Sequence, residues 1–317
     1  MIDVAKCFNL NILNIEKHKS YFLCDTKSGL FAIKKVMESP KNINLAHKIK
    51  IFLNKKNFFQ VDKFYLSNQN IPFVIHNDNA YILTDLTESN SVDFGDSEIF
   101  LYLVATIAKM HNHLRNTNIK APIGPDLSTV YENSLKNLVS IKKKIYNQSN
   151  LSDFDVLFLK NQNNYIEDIN NAKELLSNTK YIFLRNKAVF QNSICHNNLR
   201  KESLIFSNNQ IYITNFFGST VDYYLVDLCN IILNHIKFSL TPVSISDIIN
   251  TYSKFNQIND FEIKVLYAML LYPYKLIKIC KIYYGKKRGY VPNGLLANLQ
   301  NNLEKREALY KYISSIK

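Results

Sequence analysis

The sequence predicts an α+β protein of two lobes, a small antiparallel β lobe followed by a larger and mainly helical lobe. Three observations support this fold class. The chain has 317 residues, which exceeds the length of a typical single domain. Its first hundred residues contain short apolar runs separated by turn signals, whereas most of the remainder carries apolar residues at helical spacing. We place the boundary near Leu86, with a β-rich lobe over residues 1–86 and a helical lobe over residues 87–317.

Strand and turn signals predict the elements of the β lobe. Lys27-Ser28-Gly29 is typical of a turn, and Asn77-Asp78-Asn79 is typical of a hairpin loop. Between them, Leu45, Ile49 and Leu53 recur at helical spacing. The predicted elements are strands over residues 9–14, 21–25 and 30–37, a helix over residues 42–56, and strands over residues 73–75 and 80–84.

Caps and periodicity predict the elements of the helical lobe. The pattern Thr129-x-x-Glu132 resembles a capping box, and Ser152 is a suitable helix cap with Asp155 in the first turn. The predicted elements are helices over residues 97–114, 129–145 and 152–176, a short strand pair within residues 194–217, and further helices from Tyr224 onward.

Composition excludes several classes of protein. Hydrophobic residues make up 47 % of the chain. This is enough apolar material for a folded core, so we do not expect an intrinsically disordered protein. The net charge is +13, but the basic residues are mostly scattered. The cluster Lys142-Lys143-Lys144 falls on a predicted amphipathic helix, so we expect a solvated face and no nucleic-acid partner. No apolar run approaches about 18 residues, and the first residues lack an apolar segment, so we expect neither a membrane span nor a signal peptide.

The five cysteines are widely spaced and odd in number, with no C-x-x-C pair. This pattern favours neither a zinc site nor a disulfide framework, and we expect core thiols and no metal. The cysteines are Cys7, Cys24, Cys195, Cys229 and Cys280.

A set of residues at characteristic spacing points to the chemistry of phosphoryl transfer. That reaction needs a strand lysine for nucleotide phosphates, a carboxylate base, an amide and an acidic metal ligand. Lys34 ends the strand pattern Ala-Ile-Lys. The later segment reads C-H-N-N-L-R-K-E-S from Cys195 to Ser203, then I-T-N-F-F around Asn215, with Asp227 further on.

This order resembles the aminoglycoside phosphotransferase superfamily, which has a protein-kinase-like fold. There, H-G-D-x-x-x-x-N precedes a strand that ends in I-D-F or I-D-W, and another Asp follows on a helix. In this chain Asn198 and Asn215 stand at the two Asp positions and Ser203 stands at the Asn position. His196 and the downstream Asp227 are retained.

Within that superfamily the chain is most similar to the CotS-like spore coat proteins. The similarity extends over nearly the whole chain and implies a spore coat location with other coat proteins as partners. Three further segments carry it: Ile107-Ala108-Lys109-Met110-His111, the segment S-D-F-D-x-x-F-L from Ser152 to Leu159, and the stretch from Leu271-Tyr272-Pro273 to Tyr283-Tyr284-Gly285-Lys286-Lys287.

The departures from the superfamily pattern concern the chemistry. An Asn at 198 cannot act as a carboxylate base, and losing a positioned base typically lowers the rate about 10²–10⁴-fold. Asn215 offers a neutral oxygen where Mg²⁺ prefers an anionic one, and Ser203 is a poorer metal ligand than an amide. The predicted helix over residues 42–56 has no acidic partner for Lys34, and the predicted first turn, residues 15–20, contains no glycine.

These departures predict a non-catalytic, pseudokinase-like coat protein with no cofactor. A divergent small-molecule kinase, or a protein that binds Mg-ATP without turnover, remains the alternative, in which Lys34 would contact the nucleotide phosphates. We expect structural roles for His196, as a hydrogen-bonding partner within the loop, and for Asp227, as a brace for the loop backbone.

Two further features have open interpretations. The tyrosines at positions 267, 272, 274, 283, 284 and 290 are either packing residues of amphipathic helices or a contact surface in the coat. The basic loop Lys286-Lys287-Arg288 is either solvated or a patch for an acidic partner. The sequence does not predict the oligomeric state.

Overall fold

The computed structural model describes residues 1–18, 21–85, 90–285 and 294–314. It contains a small antiparallel sheet followed by a mainly helical region, and this confirms the predicted α+β class. The first region comprises α1 Ile2–Lys6, β1 Ile12–His18, β2 Tyr21–Thr26, β3 Gly29–Val36, α2 Pro40–Lys55, β4 Phe64–Tyr65, β5 Val74–His76 and β6 Asn79–Thr84.

Helices make up most of the rest of the described chain, with short strands that carry the loops of interest. The elements are β7 Asn90–Ser91, α3 Ser97–His113, α4 Leu127–Tyr146, α5 Asp153–Ser177, α6 Tyr181–Phe190, β8 Ile194–Cys195, β9 Leu204–Ser207, β10 Gln210–Ile213, β11 Thr220–Val221, α7 Leu225–Phe238, α8 Ile245–Ser253, α9 Asp260–Leu271, α10 Tyr274–Tyr284 and α11 Leu295–Ser314.

The N-terminal sheet has the strand order β1-β2-β3-β6-β4, and β5 also pairs with β6. Every pair is antiparallel. Strand β3 lies in the middle, so that Lys34 stands opposite Tyr21 on one side and Ile82 on the other. The strand lysine identified in the sequence is therefore on a central strand.

Helix α2 begins where its local sequence favours a start. The Ser39 side chain accepts a hydrogen bond from the Asn42 amide at 3.3 Å, and Pro40 is the first helical residue. Its buried stripe packs against the 3₁₀ turn at Phe216–Gly218, which directly follows Asn215. The helix thus links the small sheet to the loop region of the large lobe.

The core has two parts that lie on opposite faces of the N-terminal sheet. Residues of α1 cover one face and bury Val4 and Ala5 with Ile33 and Leu83. On the other face, the apolar side chains of the sheet belong to one hydrophobic cluster that also contains residues of α2 and of the helical region. In the described part of the chain, no helix is long and apolar enough to cross a membrane.

Asparagine provides most of the unusual backbone conformations. Among the described residues, eleven positions other than glycine have positive φ, and ten of these are Asn. Asn tolerates the left-handed region better than most residues because its short side chain can bond locally. Two of the ten, Asn197 and Asn215, lie in the candidate site.

Several element predictions need correction. Strand β1 begins at Ile12 rather than at residue 9 and continues to His18, so the predicted turn over residues 15–20 is mostly strand. His18 pairs with Tyr21, which leaves two residues between the strands. The predicted capping box at Thr129 is also wrong, because α4 begins at Leu127 and the Asp126 carboxylate accepts from the Ser128 amide at 3.1 Å.

Other predictions are confirmed or stay open. Ser152 and Asp155 form the capping box of α5, and the described cysteines are free, four of them buried. The predicted hinge at Leu86 and the basic loop at Lys286-Lys287-Arg288 lie outside the described residues. The division of the chain at residue 86 stays a prediction.

The tyrosines differ in their surroundings. Tyr272 is buried and stacks on Tyr131, and Tyr283 stacks on Phe154, so packing describes these two. Tyr274 is exposed. Tyr290 lies outside the described residues.

Candidate functional site

The carboxylate of Asp227 organises the loop that follows β8. It is fully buried, its Oδ2 accepts the His196 amide at 2.7 Å, and its Oδ1 accepts the Asn197 amide at 2.7 Å. Oδ2 also lies 3.0 Å from Nε2 of His111. Burial acts to raise the pKa of Asp227, but the hydrogen bonds and the nearby histidines lower it overall. The carboxylate is therefore held charged with both oxygens in use.

His196 uses both ring nitrogens inside the loop. The Asn198 amide donates to Nδ1 at 3.2 Å, so the proton resides on Nε2, which donates to the Thr214 carbonyl at 2.7 Å. Burial lowers the pKa of His196, consistent with a neutral ring. The ring packs edge-on against Phe216. Because neither nitrogen is free, this side chain connects β8 to the end of β10 and is not available for proton transfer.

The three substituted positions lie close together in this network. The Ser203 hydroxyl donates to the Asn198 carbonyl at 2.7 Å, and the Asn215 side-chain amide donates to the Glu202 carbonyl at 2.8 Å. The Thr214 amide donates to the Ser203 carbonyl at 2.9 Å. Asn215 itself has left-handed backbone angles, with φ 59° and ψ 43°. The polar groups of the substituted residues thus bind the loop segments to one another.

Lys34 is not bonded to these loop residues. It is half-buried on β3, and in the described part of the chain no hydrogen bond or ion pair within 4 Å joins it to them. Burial lowers the pKa of Lys34, while the carboxylates of Asp62 and Asp85 act to raise it. Its amino group is 5.9 Å from the centre of the Tyr21 ring.

A second lysine, which sequence reasoning missed, lies on α2. Lys50 is 2 % exposed, and its Nζ is 2.5 Å from Oδ1 of Asp62, whose side chain is 3 % exposed. Neither atom has a partner in hydrogen-bond geometry among the described residues. Nζ also lies 3.4 Å from the centre of the Phe64 ring. Burial lowers the pKa of Lys50 to about 8, in spite of the charge of Asp62.

A signal for this buried lysine was present in the sequence. Lys50 follows Ala46 by four residues and precedes Leu53 by three, which places it on the apolar stripe of α2. A charged residue on such a stripe needs a buried partner. The sequence does not identify that partner, because Asp62 lies outside the helix and meets Lys50 only in the folded chain.

The donor set at the loop does not fit a magnesium ion. Mg²⁺ in kinase-type sites is held by at least one carboxylate, and positions 198, 203 and 215 supply only neutral groups. The Asn215 NH₂ group and the Ser203 hydroxyl proton are donated to backbone carbonyls of the loop. No chemical step through a metal is derived from this arrangement.

A second group of potential ligands lies behind the loop. His111, Cys195 and Asp227 have ligand atoms within 4.8 Å of one another and are all buried. However, His111 contacts Tyr252 and Asp227 through its two nitrogens, and the Cys195 thiol donates to the Asp222 carbonyl at 3.3 Å. Burial raises the pKa of the Cys195 thiol well above its usual value, so it stays protonated. This is a saturated hydrogen-bond network.

A family profile decides the relationship of the chain to known proteins. The profile described as "Spore coat putative kinase YutH" matches residues 2–316. The chain belongs to this family. The predicted resemblance to the CotS-like spore coat proteins is therefore confirmed, and the chain is a kinase-like member of a spore coat family.

Solved structures with the same fold as this YutH-family chain are phosphotransferases of small molecules. An aminoglycoside phosphotransferase from Alicyclobacillus acidocaldarius is similar with a TM-score of 0.84 at 16 % identity, covering 99 % of this chain and 94 % of the other. Spectinomycin phosphotransferase APH(9)-Ia in complex with AMP gives 0.67 at 12 % identity, with 98 % and 96 % covered. Choline kinase LicA from Streptococcus pneumoniae gives 0.54 at 13 % identity, with 98 % and 97 % covered.

These similarities establish the aminoglycoside phosphotransferase-like fold, as predicted. At such low identity they carry no statement about substrate. No curated protein sequence matches the chain. The activity of this YutH-family member must therefore be argued from its own residues.

Proposed function

We propose that this chain is a non-catalytic component of the spore coat that acts in coat structure or assembly through contacts with other coat proteins. The observation that carries the proposal is the use of the substituted site residues as loop-binding groups. Ser203 and Asn215 donate to backbone carbonyls, and His196 has no free nitrogen. The Asn215 NH₂ group, the Ser203 hydroxyl and both nitrogens of His196 are thus engaged in holding the loop.

The charge arrangement around α2 supports the same proposal. In protein kinases a glutamate on the corresponding helix pairs with the strand lysine and thereby positions it for the nucleotide. In this chain α2 carries Lys50, which forms its own buried pair with Asp62. Two lysines and two carboxylates, Asp62 and Asp85, thus interact with one another around β3.

A direct test is phosphoryl transfer by the purified chain with Mg-ATP and a panel of aminoglycosides, amino alcohols and protein substrates. We expect no transfer above the level of the Lys34→Ala variant. The double variant Asn198→Asp/Asn215→Asp is expected to stay inactive, because Ser203 and the Lys50 pair remain. The matched control is Asn208→Asp/Asn209→Asp, which makes the same charge change in the turn between β9 and β10. Transfer by the wild-type chain that Lys34→Ala abolishes would overturn the proposal.

The coat role has its own test in the spore-forming organism. A strain with Lys34→Ala in place of the wild-type residue is expected to assemble a coat like that of the parent, with a fluorescent fusion at the spore surface. A requirement for Lys34 in coat assembly would contradict a purely structural role.

Nucleotide binding without turnover is a second candidate function. It is supported by Lys34, which is half-buried on a central strand and whose amino group is not in an ion pair within 4 Å in the described part of the chain. Calorimetric titration with ATP, with and without Mg²⁺, separates this candidate from the first. If ATP binds, an ATP concentration of about 100 times its Kd should raise the free energy of unfolding by about 2.7 kcal/mol. No heat and no stabilisation would exclude it.

A further inference from the structure

A cavity of about 420 Å³ lies behind the loop, and His111 and Cys195 of the buried network described above belong to its wall. Its walls come from the end of α3, from α6, from β8, from the start of α7 and from the segment that joins α8 to α9. Neither Lys34 nor Asn198 lines it. The volume falls in the range of small-molecule sites, which is about 300–1,000 Å³.

The cavity carries more positive than negative side chains. Arg115 and Lys187 line it, against the single carboxylate of Glu262. In the described part of the chain no carboxylate lies within 4 Å of Arg115 or Lys187 to form an ion pair, and the only contact described for the guanidinium of Arg115 is with the ring of Tyr224, 5.7 Å away. These cations are therefore available to an anion.

The carboxylate of Glu262 is already satisfied. Its Oε1 accepts from the hydroxyls of Tyr223 at 2.7 Å and Tyr224 at 2.8 Å, and its Oε2 accepts from the Asn259 amide at 2.9 Å. Three donors disperse its negative charge into the protein, as they do for a capping carboxylate. Glu262 thus builds the wall, and no ion pair within 4 Å joins it to Arg115 in the described part of the chain.

One polar atom of the wall lacks a partner. The hydroxyl oxygen of Ser253 is buried and has no hydrogen-bond partner among the described residues. A buried hydroxyl without a partner costs about 1–3 kcal/mol. Leu184, Ile194 and Ile258 supply apolar surface on the same walls.

We propose that this cavity binds a small organic anion, with its carboxylate or phosphate group on Arg115 and its apolar body against the wall of α6 and β8. A charged head and an apolar body match the two kinds of surface in the cavity. Lys187 contributes charge at the exposed side. This site is independent of the nucleotide cleft and goes beyond the coat role proposed above.

The position of the cavity connects it to the loop. His111 and Cys195 belong to its wall, and Cys195 directly precedes His196. His111 lies 3.0 Å from the Asp227 carboxylate that holds the His196 and Asn197 amides. A ligand against His111 would therefore stabilise the loop through one intervening carboxylate.

The test uses phenyl phosphate and benzoate as anionic probes and benzyl alcohol as the neutral control, in NMR titrations of the full chain. We expect both anions to bind more tightly than benzyl alcohol. Arg115→Gln should weaken the binding of phenyl phosphate about tenfold or more, since it removes a charge-assisted hydrogen-bond donor. Lys187→Gln should have a smaller effect because Lys187 is exposed.

Three further variants locate the site. Arg115→Lys keeps the charge and should retain most of the affinity. Lys56→Gln changes a neighbouring cavity that Arg115 also lines, and Lys34→Met changes the nucleotide cleft. Both should leave the binding of phenyl phosphate unchanged. Loss of binding in either variant, or unchanged binding in a folded Arg115→Gln protein, would overturn the assignment, as would the lack of any response to the anions at about 10 mM.

Hydrogen exchange of the His196 and Asn197 amides provides a separate readout of the connection to the loop. Both amides donate to Asp227 and should exchange more slowly when phenyl phosphate is bound. An unchanged rate at saturation would show that the cavity does not act on the loop. Because the readout needs no activity, its failure is distinct from any failure of the proposed coat role.

Discussion

Replacement of Lys50 by methionine tests the buried ion pair between α2 and the segment that follows it. The substitution preserves the length of the side chain and its contact with Phe64 but removes the positive charge. It leaves the Asp62 carboxylate, 3 % exposed, without the cation that lies 2.5 Å away in the wild-type chain. Removing one member of a buried pair typically destabilises a protein by about 3–5 kcal/mol.

The double variant Lys50→Met/Asp62→Leu removes both charges. Because two buried charges lose their hydration, apolar replacements of similar volume are often neutral or stabilising by about 1–4 kcal/mol. We therefore expect the double variant to be at least as stable as the wild-type chain, while Lys50→Met alone is much less stable. Lys136→Met is the control, since Lys136 forms an exposed pair with Glu132 and should change stability by less than about 1 kcal/mol.

The pH dependence gives a second measure of the same pair. Burial lowers the pKa of Lys50 from 10.5 to about 8. Below about pH 8 the lysine is charged in both the folded and the unfolded chain, and the cost of burying the charge is fully present. Between about pH 8 and 10.5 the unfolded chain binds more protons, so the contribution of Lys50 to the free energy of unfolding rises with pH. At about 1.4 kcal/mol per pH unit the full rise is about 3 kcal/mol.

Urea unfolding at pH 7, 9 and 10 measures both effects. Burial also lowers the pKa of Lys275 to about 8, so the informative quantity is the free energy of unfolding of the wild-type chain minus that of the double variant. This difference should rise by about 2–3 kcal/mol from pH 7 to pH 10. A flat difference, or a Lys50→Met variant as stable as the wild-type chain, would refute the buried charged pair.

Three further substitutions have defined outcomes. Asp227→Asn should lower the free energy of unfolding by about 2–4 kcal/mol, because one of the two loop amides faces an NH₂ group; a loss below about 1 kcal/mol would contradict the brace. Asn197→Ala should be less stable than Asn197→Gly by about 1 kcal/mol, because φ is 60° at this position and a Cβ atom disfavours the left-handed region. Equal stabilities of the two variants would argue against a left-handed backbone at this position. Arg306→Gln should leave the Asp168 carboxylate, which is 2 % exposed, without its bidentate partner, and should thereby release α11 from α5. Limited proteolysis would detect this release as early cleavage of α11. Resistance to proteolysis equal to that of the wild-type chain would contradict the prediction.

Local signals predicted most of the elements, and the errors arose where two local signals competed. Ser152 with Asp155 is the first strong cap before α5, and the helix begins there. The start of α4 was predicted at Thr129, but Asp126 caps the helix, and the Thr129 hydroxyl donates to the Asp126 carboxylate at 3.2 Å. Helix α1 has only five residues, which is too short for a helical period to be visible in the sequence.

The candidate site was predictable as a set of positions but not as a set of contacts. The spacing from His196 to Asp227 places the substituted residues in one frame, and the structure brings these residues together. The sequence did not reveal that Thr214 accepts from His196, since this bond joins segments 18 residues apart through a backbone carbonyl. It also gave no partner for Lys50, because the pairing with Asp62 depends on tertiary structure.

The network around Asp227 explains how the fold could persist under the proposed non-catalytic role. Asp227 and His196 bind backbone groups, whose identity does not change when Asn stands at 198 and 215. These backbone contacts do not require a carboxylate at positions 198 and 215. The pair of Lys50 and Asp62 is a different case, because buried charges must be balanced by a partner. Lys50 and Asp62 balance one another without a ligand, so removing Lys50 alone should lower stability and leave the loop geometry intact. Asp227→Asn should lower stability and also release the loop amides, so fast exchange of the His196 amide in Asp227→Asn but slow exchange in the Lys50 variants would separate the two contributions.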